Sequence, residues 1–210
     1  MTDGAPCSRE KQRELIASRL AEVGFRVESV FDLVNSKTPY AAAVPVLIDL
    51  LPQISDSRLK EGVARALAVE DARPAAARPL LRQFVHLKPS SKAEEHLKWA
   101  IGFAISRTAD ESVFDEVVAQ LRSPDNGWTR SELVGALERM PARRTECIEV
   151  LLQISNERDL QMRALEALSK LGALGAVPLA RRLEHNPDSW VRGEARKALK
   201  RLKQEPTPLQ

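Results

Sequence analysis

The chain has 210 residues, of which 43% are hydrophobic but only 4% aromatic, and its 32 Lys and Arg nearly balance 29 Asp and Glu for a formal net charge of +3. Those apolar residues suffice for a continuous core, and the weight of Leu, Ala, Glu, Arg and Lys excludes a sandwich or barrel built on β-branched and aromatic side chains. The small net charge does not by itself indicate a nucleic-acid binder. Cys7 and Cys147 are too few for a disulfide framework and lack metal-ligand spacing, which fits a reducing compartment.

In chain order, residues 1–7 are expected to be disordered, and Met1–Glu10 holds no apolar core of signal-peptide length. Glu10–Val23 and Val27–Val34 read as two helices separated by Gly24, forming an N-terminal helical cap over residues 8–39. From residue 40 a repeat takes over. A small-plus-large pair recurs as Ala66-Leu67, Ala104-Ile105, Ala136-Leu137, Ala167-Leu168 and Ala198-Leu199, at intervals of 38, 32, 31 and 31 residues. The long interval holds Leu87-Lys88-Pro89-Ser90-Ser91, a turn insertion.

Seven residues before each anchor stand Lys60, Lys98, Arg130, Gln161 and Arg192. Four residues further back come Asp56, Glu94, Asn126, Glu157 and Asp188, types that cap a helix or favour its first turn, so the second helix of each unit is expected to start there. Upstream lies a first helix, as in Val44–Leu51 and Ala176–Leu183, with Pro45, Pro79 and Pro178 at early positions where a missing N–H is tolerated. The repeats extend to residue 203. Residues 204–210, with two prolines and few apolar side chains, are expected to be disordered. No segment approaches the roughly 18–20 apolar residues that span a bilayer, so a cytoplasmic protein with no membrane association is expected.

The Pro-Leu of the first helix, the Asp before the second, the Val-Arg pair and the Ala-Leu pair resemble HEAT repeats of the short type also found in phycobilin lyases, best in Gly175–Leu202. The resemblance covers about residues 40–203. It implies an all-α fold, a right-handed α-solenoid of about five HEAT-like helical hairpins behind the N-terminal cap. The third and fourth units lack the proline, and the fourth has Gln161 in place of the basic residue.

Corresponding residues in a repeat stack into columns, so the acidic and basic columns read first as packing features. A second basic set, Arg107, Arg139, Lys170 and Arg201, lies near helix ends, where it complements the helix dipole and could also form a stripe along a phosphate backbone. Trp128 and Trp190 occupy equivalent positions at turns, where packing between hairpins is the expected role. His86, His96 and His185 lie in separate segments without metal spacing, and Gly172-Ala173-Leu174-Gly175 lacks the strand and the Lys-Ser/Thr of a phosphate loop. No catalytic, cofactor-binding or metal site is expected.

The function expected is therefore a non-enzymatic adaptor or scaffold that binds a helix or peptide of another protein. Its contact candidates lie between core positions on the second helices: Glu61, Arg65, Trp99, Phe103, Arg163, Glu166 and Lys197. Phe103 is the most informative, as an aromatic anchor on an exposed side. The alternative is nucleic-acid binding through Arg107, Arg139, Lys170 and Arg201 on a concave face, as in HEAT-like DNA glycosylases, although Glu132, Glu166 and Glu194 would oppose phosphates. Handling of a bilin, implied by the lyase-type repeat alone, ranks last.

Overall fold

Helices, short 3₁₀ turns and loops account for residues 8–203, the part of the chain described by the computed structural model, and no strand occurs among them. The two segments expected to be disordered, 1–7 and 204–210, lie outside the described residues. The chain divides into two compact units, Met1–Val113 and Phe114–Gln210. The boundary falls between the second and third of the expected hairpins.

Unit 1 contains α1 (Arg9–Ala21), α2 (Val30–Val34), α3 (Val44–Leu50), α4 (Ser57–Ala66), α5 (Ala77–His86) and α6 (Lys92–Thr108). Pairs α3/α4 and α5/α6 are hairpins, and α4 packs between α2 and α6. Thus α2 takes the place a preceding second helix would take, and the N-terminal pair stacks as a shortened repeat. Tyr40, at the start of the repeat region, ties the layers together by donating its buried hydroxyl to the Ala66 carbonyl at 2.9 Å. Leu47, Leu50, Leu51, Ile54, Leu67, Leu80, Phe84 and Ile101 are fully buried, each contributing about 1.5–3 kcal/mol by leaving water.

Unit 2 contains α7 (Phe114–Arg122), α8 (Val134–Leu137), α9 (Arg144–Ile154), α10 (Gln161–Lys170), α11 (Val177–Leu183) and α12 (Ser189–Lys203). Here α10 packs against α8, α9 and α12, and α11 against α12. All five Ala-Leu or Ala-Ile anchor pairs are buried, so the repeat periodicity marks the inward face of every second helix.

The expected helix starts hold at two of five positions. Asp56 accepts from the Leu59 N–H at 2.9 Å, and Asp188 from the Trp190 N–H at 2.7 Å. In α6 the cap is Ser91, and Glu94 lies inside the first turn, its carboxylate accepting from the backbone and hydroxyl of Ser90 at 2.7 Å. The helix begins earlier because the Ser90-Ser91 pair and Glu94 close a reciprocal cap. At Asn126 no α-helix starts. Gly127 has φ +51°, which breaks the helical path, and 3₁₀ turns run to Leu133, leaving α8 only four residues long. Glu157 stays in a turn, and α10 starts at Gln161.

The column seven residues before the anchors has a role shared by four of its five members. All but Lys60 strap their second helix to backbone carbonyls at or beyond the end of the first helix of the same hairpin. Lys98 donates to the Leu87 carbonyl at 2.8 Å, Gln161 to Ser155 at 3.2 Å, and Arg192 to Asn186 and Pro187 at 2.8 and 2.7 Å. Buried Arg130 donates to the Leu121 carbonyl, to Gly127 and to the Glu157 carboxylate. Lys60 reaches the Gln83 side chain at 3.2 Å in the next hairpin. Apart from Lys60, these donors bond carbonyls at or beyond helix ends, where the helix itself supplies no donor.

Candidate functional site

The second-helix face of unit 1 carries a row of alternating rings and charges. Gly62 lets α2 approach α4 closely: a Cβ there would lie 2.4 Å from Val30 Cγ1 and 3.1 Å from the Phe31 ring. The close approach brings Phe31 beneath Arg58, whose guanidinium stands 4.5 Å from the ring centroid. Arg58 and Arg65, two turns apart on α4, both donate to Glu61 at 2.8 Å. Arg65 in turn lies 5.3 Å over the Trp99 ring, and Trp99 stacks on Phe103 with centroids 6.0 Å apart and planes 6° from parallel. Trp99 and Phe103 are one helical turn apart on α6 and half-buried.

Glu61 is 5% exposed. Burial pushes its carboxyl up, but the hydrogen bonds and charges of Arg65 and Arg58 outweigh it and hold the group below its ordinary value. It is ionised at neutral pH and fixes both guanidinium groups. Beside Arg58 a groove of about 580 Å³ opens between α1, α2 and α4, lined by Arg9, Arg13, Phe31 and Glu10 among others. Its ion pairs are loose, Arg9 to Asp56 at 3.7 Å and Arg13 to Glu10 at 3.8 Å.

The corresponding helices of unit 2 carry charge pairs instead. Arg163 meets Glu132 at 2.5 Å and Glu166 at 3.7 Å, while Lys170 meets Glu166 at 2.9 Å and Glu138 at 3.0 Å. The Lys170 bond holds the Glu166 carboxyl below its usual value, against burial. Burial would lower Lys170, but the bonds to Glu166 and Glu138 prevail and raise it. Lys197 pairs with Glu194 at 2.7 Å.

Of the seven expected contact residues, the structure brings four together in unit 1: Glu61, Arg65, Trp99 and Phe103. Glu61 sits inside the row as the bridge between two arginines, not on its surface, because flanking cations compensate its desolvation. Arg163 and Glu166 meet in the unit 2 network, and Lys197 lies on α12. Among the expected phosphate contacts, Arg107 is exposed in unit 1. In unit 2 Arg139 is half-buried, Lys170 is held between two carboxylates, and Arg201 donates to the Ser169 hydroxyl at 3.4 Å.

The expected packing role of the two repeated tryptophans is corrected. Trp128, in the 3₁₀ turns that precede α8, is 42% exposed, and Trp190, in the first turn of α12, is 62% exposed. Phe31, Arg58, Arg9 and Arg13 were not singled out from sequence. Arg58 could have been, since it lies seven residues before Arg65 and three before Glu61, on one stripe of a helix. Cys147 is buried in α9, and among the described residues no three His, Cys, Asp or Glu side chains converge as metal ligands.

Among the described residues no helix is long and apolar enough to cross a membrane. No family model and no curated protein matches the chain. Among solved structures it is similar to an engineered protein determined by a structural genomics consortium, with a TM-score of 0.53 and 15% identity over 90% of this chain and 96% of that one. A designed armadillo repeat protein matches with a TM-score of 0.49 and 17% identity over 95% and 96% of the two chains. The first likeness, together with the repeating helical hairpins, establishes the fold as an all-α helical repeat.

Proposed function

We propose that this chain is a non-enzymatic adaptor or scaffold that binds a helix or peptide of another protein through the α2–α4–α6 face of unit 1. The stacked pair Trp99–Phe103 carries the proposal. Two large rings stand partly exposed on a helix whose other side is buried, so apolar area remains to be covered. Aromatic anchors beside arginine are the residue types that dominate binding energy at protein interfaces. Arg65 lies over the ring next to them and Glu61 fixes it, so the face is ordered before a partner arrives. Arg163, Glu166 and Lys197 already hold carboxylate or cation partners and are left out of this surface.

The hairpins are read as HEAT-like on their Pro-Leu, Asp, Val-Arg and Ala-Leu positions, with residues 8–39 as cap, 40–203 as the repeat region, and the cytoplasm as location. The nucleic-acid alternative gains no support from unit 2, where Lys170 is held between Glu138 and Glu166. Affinity capture from source lysate, with and without nuclease, tests the proposal when run in parallel on the wild type and a Trp99→Ala/Phe103→Ala variant whose helicity is checked by circular dichroism. A protein partner that survives nuclease and is lost from the variant is expected. Material removed by nuclease, or a partner indifferent to the variant, would overturn it.

A further inference from the structure

We infer that the segment docking on this face is acidic: Arg58 and Arg65 each take a carboxylate, with an apolar side chain laid on Trp99 and Phe103. The inference rests on the adaptor reading and adds the partner's chemistry. Seven residues along α4 separate the two arginines, about 10 Å at 1.5 Å per residue and on one stripe, so the two carboxylates must stand at that spacing.

Three observations carry it. Arg65 reaches Glu61 through Nε, and Arg58 through Nη1 alone. Among the described residues neither Nη atom of Arg65 has a hydrogen-bond partner, which leaves the end of its planar fork open for bidentate binding. Each guanidinium is also held between a ring face and Glu61, so the rotamer freedom that binding would otherwise remove is already lost. Finally, Arg58 borders the groove with Arg9 and Arg13, whose own acidic partners lie at 3.7 and 3.8 Å, too far for direct hydrogen bonds. A partner carboxylate can displace those contacts. A phosphate backbone fits less well, because Glu10, Asp56 and Glu61 interrupt the cations, whereas two discrete carboxylates can avoid them.

The test uses a fluorescein-labelled, Ala-rich helical peptide with two Glu seven positions apart, about 10 Å along a helix, and Leu between them on the same face, beside its Gln analogue. Anisotropy titrations are run on the wild type, Arg58→Gln/Arg65→Gln, Arg65→Lys and Trp99→Ala, with circular dichroism as the fold control. Arg65→Lys keeps the charge beside Glu61, so the fold is maintained while the fork is lost. The Glu peptide is expected to bind the wild type about tenfold more tightly than the Gln peptide. That preference should vanish in the double variant and shrink in Arg65→Lys, and both peptides should weaken on Trp99→Ala.

Equal binding of both peptides to the wild type, with loss on Trp99→Ala, would overturn the acidic preference and leave the docking face standing. Binding indifferent to every substitution, or no binding by either peptide at millimolar concentration, would remove both. Displacement of the Glu peptide by labelled polythymidylate that needs the same arginines would overturn the inference in favour of nucleic acid.

Discussion

Equivalent columns of the two units solve the same problem differently. Two residues before the apolar anchor stand Arg65 and Phe103 in unit 1, and Gly135, Glu166 and Lys197 in unit 2. In unit 2 the charges close on each other: Glu166 sits between Arg163 and Lys170, and Lys170 also reaches Glu138. In unit 1 Arg58 and Arg65 lie on rings, and Glu61 pairs with both. A carboxylate occupies one or two of a cation's donors, whereas a ring face attracts the cation and leaves its N–H groups unused. The ring row therefore offers apolar area together with donors, whereas the charge network offers charged groups paired with one another.

The contrast breaks most sharply at Arg130. Arg130→Met removes a buried guanidinium that donates to Leu121, Gly127 and Glu157, and should destabilise unit 2 by about 3 kcal/mol, read as a fall in the urea midpoint. In unit 1, Gly62→Ala would set a Cβ 2.4 Å from Val30 Cγ1, a short buried side chain with little room to yield. A loss of about 2 kcal/mol is expected, and weakened peptide binding with it as α2 carries Phe31 away from Arg58. Unchanged stability would show that α2 shifts freely.

Glu61→Gln separates the two kinds of charge. The folded-state carboxyl is held below its ordinary value of 4.5, so its stabilisation is complete above that pH and is lost as pH falls through the folded value. The variant should lose about 1 kcal/mol at pH 7, and the gap between its urea midpoint and that of the wild type should close in strong acid. A gap independent of pH would mean that packing, not charge, holds Glu61. The smallest effect is expected at Gly193 in α12, where a Cβ meets open space within 4 Å. Gly193→Ala should stabilise unit 2 by about 0.5–1 kcal/mol through reduced chain entropy, seen as a raised Tm.

Helical hairpins and their inward faces are legible in the sequence alone. Each Ala-Leu or Ala-Ile pair is buried because a period repeated five times marks the side that every helix must turn inward. The column from Lys60 to Arg192 was readable as structural for the same reason, although its carbonyl partners were not. Asn126 and Glu157 misled because a capping residue type permits a helix start without enforcing one. Gly127 and the turn before Gln161 decided otherwise.

The candidate site was legible only in part. Spacing alone selected Glu61, Arg65, Trp99 and Phe103, since residues between core positions on a second helix must reach its outer half. Helical period and end chemistry act over a few residues of one chain segment, and to that extent the sequence by itself determined the hairpins, the anchors and the fold class. Whether Glu61 is a surface charge or a buried bridge, whether Arg65 meets a ring or a carboxylate, and whether Trp128 and Trp190 are covered depend on side chains supplied by neighbouring helices. Arg65 and Trp99 stand one hairpin apart in the chain. Only helix stacking brings such pairs within reach, and that stacking turned a column of mixed residues into an open ring row in one unit and a closed charge network in the other.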